Sequence, residues 1–138
     1  MIVSKQILVQ SDGRFNVVVL TDQVADFVRE SGIQTGQALV FLQHTTGVVI
    51  IEEYDAGVLA DLKDMFERLT PSAYPYKHHL RGVDYNGHAH MRLALMQPAV
   101  TVPVIKGRLA LGTYQDILLI DDQVEQQPRY LILQVTGE

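Results

Sequence analysis

Two of the five histidines in the chain are separated by a single residue. His88 and His90 lie in the segment 84–90, which also contains an aspartate, an asparagine and a glycine. In an extended segment, side chains at positions i and i+2 point to the same face, so both imidazoles are expected to reach one centre. Such a pair can place two nitrogen ligands on one metal ion, and it also occurs in metal-free sites for phosphate or carboxylate. The residues themselves leave these two alternatives open.

Further candidate ligands precede this pair. His44 opens the polar segment 44–47 between two apolar runs, and sheet proteins often hold their sites at such strand ends. Glu53 follows the second run, where it could orient an imidazole, bind a metal or act as a general base; alternatively it begins a helix. In the metal-bound alternative, the sequence predicts a divalent metal ion, zinc or magnesium, held by His44, His88 and His90. The predicted catalytic set is His44, Glu53, His88 and His90.

Other polar residues are expected to bind the substrate. They are hydroxyl, amide, imidazole and guanidinium side chains that accompany the histidines or follow a glycine in a later strand: Thr45, Thr46, His78, Asn86, Arg92, Thr113 and Gln115. Each segment also has a plainer explanation. The segment 44–47 is compatible with an ordinary turn, and the segment 107–116 is compatible with a hairpin strand that carries a bulge.

The hydrophobic pattern predicts about eight short strands and two clear helices. The clearest helix follows Asp55, where apolar residues from Val58 to Leu69 recur at the helical period. Residues 71–87 have no regular pattern, and residues 91–96 fit a helix or a strand. This arrangement predicts an α+β class, mostly an antiparallel distorted β-sandwich or barrel-like sheet with two or three flanking helices, in one domain over residues 1–138.

Composition excludes several classes of function. The chain is 47% hydrophobic and 20% charged, as in ordinary globular domains. Its formal net charge of −5 argues against general nucleic-acid binding, which needs a basic surface. There is no cysteine, no apolar run long enough for a membrane span and no apolar leader. We therefore expect a cytoplasmic protein with no membrane partner.

Five motifs in order resemble the secondary thiamine-phosphate synthase (YjbQ-like) family, long regarded as uncharacterised. They are the segments 44–47, Glu53, 76–78, 86–90 and 107–115, and the resemblance covers nearly the whole chain. It departs at Gly87, where the family often has Ala, and at Tyr114, where it often has Trp. The resemblance implies that His44, Glu53, His78, Asn86, His88, His90 and Gln115 gather in one pocket near a subunit boundary of a homotrimer.

The resemblance also implies an activity. Members have been credited with weak thiamine-phosphate synthase activity, in which a pyrimidine pyrophosphate is joined to a thiazole phosphate with loss of pyrophosphate. We therefore expect a transferase that acts on a small phosphorylated metabolite. Two alternatives are a metal-assisted hydrolase or lyase of a small phosphorylated or carboxylated metabolite, and a non-catalytic trimeric ligand-binding protein.

Overall fold

Three α-helices and two curled antiparallel sheets form the fold of the computed structural model, which describes residues 1–138. The predicted α+β class is confirmed. In space the fold has three layers. The first is a five-stranded sheet, the second is a three-stranded sheet with one helix beside it, and the third is a pair of helices.

The five-stranded sheet has one buried face and one uncovered face. In spatial order its strands are β1 (Ile2–Ser11), β8 (Gln127–Gly137), β3 (Thr35–Leu42), β5 (Ala99–Ile105) and β6 (Arg108–Leu109). Burial alternates along β3 and β8, as expected when one face meets a core. Val40 and Leu133 point inward into the main core.

The three-stranded sheet is apolar on both faces. Its order is β2 (Asn16–Val19), β7 (Asp116–Asp121) and β4 (Gly47–Glu52). Residues 117–120 of β7 are fully buried, because Ile117 and Leu119 face the five-stranded sheet while Leu118 and Ile120 face the helices. This central strand ends at Asp121, next to the candidate site.

The helices cover the three-stranded sheet and its end. Helix α1 (Thr21–Ser31) packs into the main core, while α2 (Ala56–Leu69) and α3 (Gly87–Met96) cover the outer face of the three-stranded sheet. Helix α2 follows Asp55 as predicted, and Asp55 caps it, since its carboxylate accepts a hydrogen bond of 2.9 Å from the Val58 amide. Helix α1 ends at Gly32, whose left-handed φ of 73° suits a glycine.

The principal departure from the sequence prediction is α3. The segment with His88 and His90 is helical, not extended. On a helix, positions i and i+2 are about 200° apart, so the two imidazoles face different sides. The irregular segment before it contains a 3-10 helix, Lys77–Arg81, which carries His78.

No helix of the fold combines the length and apolar character that crossing a bilayer requires; the longest, α2, has 14 residues. The cytoplasmic location and the single domain over residues 1–138 stay predictions.

Candidate functional site

A wholly polar cavity of about 410 Å³ contains most of the predicted site residues. We call it the histidine cavity. No hydrophobic side chain lines it, and its residues are Gln43, His44, Thr45, Thr46, His78, Arg81, Asp84, Asn86, His90, Gln123, Gln127 and Arg129. It therefore suits a small and strongly polar ligand.

Two imidazoles meet edge to face in this cavity. The ring centroids of His78 and His90 are 4.7 Å apart. The His78 Nε2 atom is buried and has no hydrogen-bond partner. Burial, assisted by the neighbouring His78, lowers the pKa of His90. At neutral pH His90 is therefore uncharged and able to accept a proton.

His44 is fixed by the backbone of β8. Its Nε2 atom accepts a hydrogen bond of 2.9 Å from the Tyr130 amide, and its ring stacks on that of Tyr130 with centroids 6.0 Å apart. Burial and the nearby Arg129 cation lower the pKa of His44. In the neutral ring, the proton must then reside on Nδ1, because Nε2 is the acceptor.

A buried ion pair lies under the histidines. Arg129 is 2% exposed and donates hydrogen bonds of 3.0 and 2.8 Å to the two carboxylate oxygens of Asp121. Its Nη2 atom also donates to Thr46 Oγ1 at 2.7 Å. The remaining nitrogen, Nη1, has no partner within the protein. Arg129 thus brings an uncommitted pair of N–H donors to the cavity.

Asn86 adds an unpaired acceptor. Its Nδ2 atom donates to Gln123 Oε1 at 3.0 Å, which leaves its buried Oδ1 atom without a partner. Asn86 is 4% exposed, whereas Arg81 and Asp84 lie at the surface. The cavity therefore has a buried interior and a charged rim.

The first turn of α3 is positioned by the preceding loop. The Gly87 amide donates to His79 Nε2 at 3.0 Å, so His79 satisfies a free N–H of the helix. A Cβ atom on Gly87 would lie 2.6 Å from the Tyr76 side chain. Gly87 therefore allows Tyr76 to pack against the helix. An alanine, which the family often has at this position, would clash with Tyr76 in this chain.

His88 and Arg92 lie outside the histidine cavity. Both are buried, and both line a second cavity on another side of α3. The predicted metal set of His44, His88 and His90 is consequently not brought together, and no group of three His, Asp or Glu side chains has the geometry to hold a metal ion. The residues present do not fit the predicted zinc or magnesium site, because α3 turns His88 away from His90.

Glu53, Thr113 and Gln115 also lie elsewhere. Residue Glu52 pairs with Asp116 at one end of the three-stranded sheet, while Gly47 pairs with Asp121 at the other. These ends are roughly 16 Å apart along β4. None of the three lines the histidine cavity, and Gln115 Oε1 instead accepts a hydrogen bond of 2.8 Å from Gly112.

Sequence reasoning missed Arg129 and the two neighbouring buried aspartates, Asp121 and Asp122. Asp121 and Asp122 follow the fully apolar run 117–120, and Arg129 occupies an inward position of an alternating strand. A charged residue at a core position indicates a buried partner of opposite charge. That signal was available, but it does not identify the partner.

Known proteins match the chain over nearly its full length. A family model described as "UPF0047 protein YjbQ-like" matches residues 5–138. A UPF0047 protein of Synechocystis is 38% identical over 113 residues, which cover 80% of this chain and 76% of that protein. The UPF0047 protein YjbQ of Salmonella typhimurium is 31% identical over 124 residues, covering 87% of this chain and 88% of the relative.

Solved structures agree with the fold. A YbjQ-like protein of unknown function from Sulfolobus solfataricus superposes with a TM-score of 0.94 at 30% identity, covering 100% of this chain and 99% of the other. A hypothetical protein from Aeropyrum pernix gives a TM-score of 0.90 at 30% identity, with 98% of both chains covered.

These relatives correct the predicted function. The family description and the relatives' names carry no thiamine-phosphate synthase activity, and the Sulfolobus protein is described as having unknown function. The predicted transferase activity is therefore wrong. The two alternatives, a metal-assisted hydrolase or lyase and a non-catalytic trimeric ligand-binding protein, have no support from these relatives either.

Proposed function

Since the chain belongs to the UPF0047 (YjbQ-like) family, which is described without a reaction, we propose a function from the geometry of its own site. The histidine cavity binds a small anionic metabolite, and its imidazoles move a proton on that molecule. This is general acid–base chemistry that needs only side chains of this chain.

Anion binding is supported by the donors around the cavity. Arg129 offers its free Nη1 group from the interior, and Arg81 offers a second guanidinium at the rim. Guanidinium groups bind carboxylate and phosphate through charge-assisted hydrogen bonds. Asp84 is the only carboxylate that lines the cavity, and the Asp121 carboxylate that balances Arg129 lies outside the lining, so the donors of Arg129 and Arg81 face the cavity with one carboxylate among them.

Proton transfer is supported by the pair of His78 and His90. Burial lowers the pKa of His90, which keeps this ring neutral at pH 7 and ready to act as a base. His78 Nε2 is buried without a partner, so a ligand atom can become its first partner. The observation that carries the proposal is the unpartnered Nε2 atom of His78, in edge-to-face contact with the neutral His90 ring, in the cavity that also contains the free Nη1 group of Arg129.

Binding is tested with inorganic phosphate as the probe, by titration calorimetry. Arg81→Gln should weaken phosphate binding about fivefold, the effect of one exposed ion pair. Arg68→Gln removes the same charge from an exposed position on α2 that lines no cavity, and it should leave binding unchanged. Equal weakening by both variants would mean that only the overall charge matters.

The proton step is tested in deuterated water with small carbonyl compounds that carry a phosphate or a carboxylate. Proton NMR should detect loss of a C–H signal from at least one compound with the native protein and not with His90→Asn. A panel with no exchange at all would contradict the catalytic part of the proposal.

We also propose that the chain self-associates, as the resemblance to a homotrimeric family implies. The uncovered face of the five-stranded sheet supports this assembly. Outward side chains of β1, β8, β3 and β5 carry no charge, and they include the exposed Leu8, Phe41 and Ile105. Copies can therefore meet there without like-charge repulsion, although each has a net charge of −5.

Mass measurement in solution tests this assembly. The native protein should have the mass of three chains, and Phe41→Lys should reduce it to that of one, because a buried unpaired charge is strongly unfavourable. Leu95→Lys is the matched control, since Leu95 is similarly exposed on α3, away from this face. A native protein with the mass of one chain would contradict the proposal.

A further inference from the structure

A second polar cavity, of about 390 Å³, lies on the side of α3 that carries His88. We call it the Arg92 cavity. It shares no lining residue with the histidine cavity. Its lining includes three cationic side chains, two carboxylates and one imidazole: Arg14, Lys63, Arg92, Glu67, Asp122 and His88. The proposed function makes no use of them.

The base of the Arg92 cavity contains two buried polar atoms without partners. Asp122 is 1% exposed; its Oδ1 atom accepts from Arg92 at 2.9 Å, but its Oδ2 atom has no hydrogen bond. His88 is 7% exposed, and its Nδ1 atom is also unpartnered. A buried polar atom without a hydrogen-bond partner is energetically unfavourable, because it has lost its hydrogen bonds to water. Both residues line the same cavity, so one ligand bound there could supply a partner to each of them.

Arg92 itself is largely committed to the protein. It donates to Asp122, to Glu67 at 2.9 Å, and to both the hydroxyl and the carbonyl of Thr70. Its guanidinium also lies 5.4 Å from the centroid of the Phe66 ring. Arg92 therefore fixes the Asp122 carboxylate in place, and the ligand must satisfy the other carboxylate oxygen.

The mouth of the cavity has the opposite character. Arg14 and Lys63 are exposed, and neither has a carboxylate partner within 4.0 Å. The Phe15 ring beneath Lys63, 6.0 Å from its Nζ atom, and the ring of Tyr85 add flat walls. An anionic group at the mouth would therefore meet two cations.

We propose that the Arg92 cavity binds a small zwitterion, a free amino acid. The ammonium group lies at the base and donates to Asp122 Oδ2 and His88 Nδ1, while the carboxylate lies at the mouth between Lys63 and Arg14. A simple anion would leave Asp122 unsatisfied, and a simple cation would meet Lys63 and Arg14 without a countercharge. This site is separate from the proposed function of the histidine cavity.

The first test is calorimetric titration of the native protein with each common free amino acid, and with acetate and ethylamine. At least one amino acid should bind saturably, whereas acetate and ethylamine, each with one of the two charges, should not. Binding of acetate as tightly as the best amino acid, or of no amino acid, would overturn the proposal.

Variants locate the bound molecule. Lys63→Gln should weaken amino-acid binding about fivefold, and Asp122→Asn more than about tenfold, because a hydrogen bond to a buried charge is lost. Lys77→Gln, at an exposed site outside this cavity, is the charge-matched control, and circular dichroism checks that Asp122→Asn folds. Lys63 is exposed, so its variant tests the site even if Asp122→Asn is unstable.

The two proposals fail separately. Arg81→Gln should leave amino-acid binding unchanged, because Arg81 lines only the histidine cavity. Amino-acid binding that responds to Arg81→Gln and not to Lys63→Gln would place the zwitterion in the other cavity and overturn this inference.

Discussion

Two buried arginine–aspartate pairs lie back to back at the end of β7, and they differ in how completely they are paired. Arg129 donates to both oxygens of Asp121 and to Thr46. Arg92 donates to one oxygen of Asp122, and the other oxygen has no partner. We call the Asp121 carboxylate closed, because both of its oxygens accept hydrogen bonds, and the Asp122 carboxylate open, because one of its oxygens has no partner. Of the two carboxylates, only the open one has an oxygen free to accept a hydrogen bond from a ligand.

The difference arises from the backbone. Asp121 is the last residue of β7, and Asp122 follows it in the chain. Adjacent side chains in extended backbone point to opposite sides, so one carboxylate reaches β8 and the other reaches α2 and α3. Burial raises the pKa of Asp122 to about 6, although Arg92 acts in the opposite direction. Burial therefore disfavours the charged form of the Asp122 carboxylate.

The two ion pairs should differ most in how much each contributes to the stability of the fold. Asp121→Asn should lower the free energy of unfolding by about 3–5 kcal/mol, because it leaves Arg129 buried beside a neutral group. Asp122→Asn should lower it by no more than about 1 kcal/mol at pH 8, since Arg92 keeps Glu67 and Thr70. Urea unfolding measures both. Equal losses would show that the two pairs do not differ in the way described.

The pH dependence of stability should sharpen the same contrast. The folded pKa of Asp122, about 6, lies above its ordinary value of 3.8. Its neutral form is therefore favoured by folding, and this contribution is fully present below about pH 4 and lost as the pH rises through about 6. Unfolding of the native protein and of Asp122→Asn, compared from pH 4 to pH 8, isolates this effect.

The native protein should gain stability relative to Asp122→Asn as the pH falls across that range. The subtraction removes the contribution of the histidines, whose lowered pKa values act in the opposite sense. A constant difference between the two proteins would be inconsistent with an open carboxylate.

The two histidines of α3 should respond differently to an anion. His90→Asn should weaken inorganic phosphate binding several-fold by removing a partner inside the histidine cavity. His88→Asn should leave phosphate binding unchanged, because His88 lines only the Arg92 cavity. Calorimetry on both variants measures the difference. Similar losses would indicate a single shared pocket.

The smallest effect is expected at the far end of the three-stranded sheet. Glu53→Gln and Gln115→Ala should leave phosphate and amino-acid binding unchanged, because these exposed residues line neither cavity. Binding titrations with both variants check this expectation. A clear loss with either variant would mean that this end of another copy completes one of the cavities.

The sequence predicted the strands, the first two helices and six of the residues that line the histidine cavity. The strands and the first two helices were predictable because they follow from periodicity, and His44 and Thr46 were found because they follow the end of a strand. His78, Asn86 and His90 came from the irregular segment and the family resemblance, and the roles of all six residues stay predictions. Residues 91–96 were left open as a helix or a strand, but the start of the third helix was missed, because segment 84–90 has polar residues and a glycine where a helical stripe would be apolar. That one error placed His88 in the wrong cavity.

The remaining errors concern long-range geometry. Nothing local to Glu53 or Gln115 shows that their ends of β4 and β7 pair with each other and lie away from Gly47 and Asp121. The partners of Arg92 and Arg129 are likewise set by which strands and helices meet. Such contacts follow from topology, which a single sequence does not specify.

Imidazole nitrogen NMR of the native protein, titrated with inorganic phosphate, tests most directly whether the two cavities are separate. The signals of His78 and His90 should shift together and saturate, while the signals of His88 stay unchanged. A subsequent titration with the tightest-binding amino acid should shift His88 and leave His78 and His90 in place. If the signals of His88 and His90 both shifted with the same dissociation constant during titration with either ligand, the account would be contradicted.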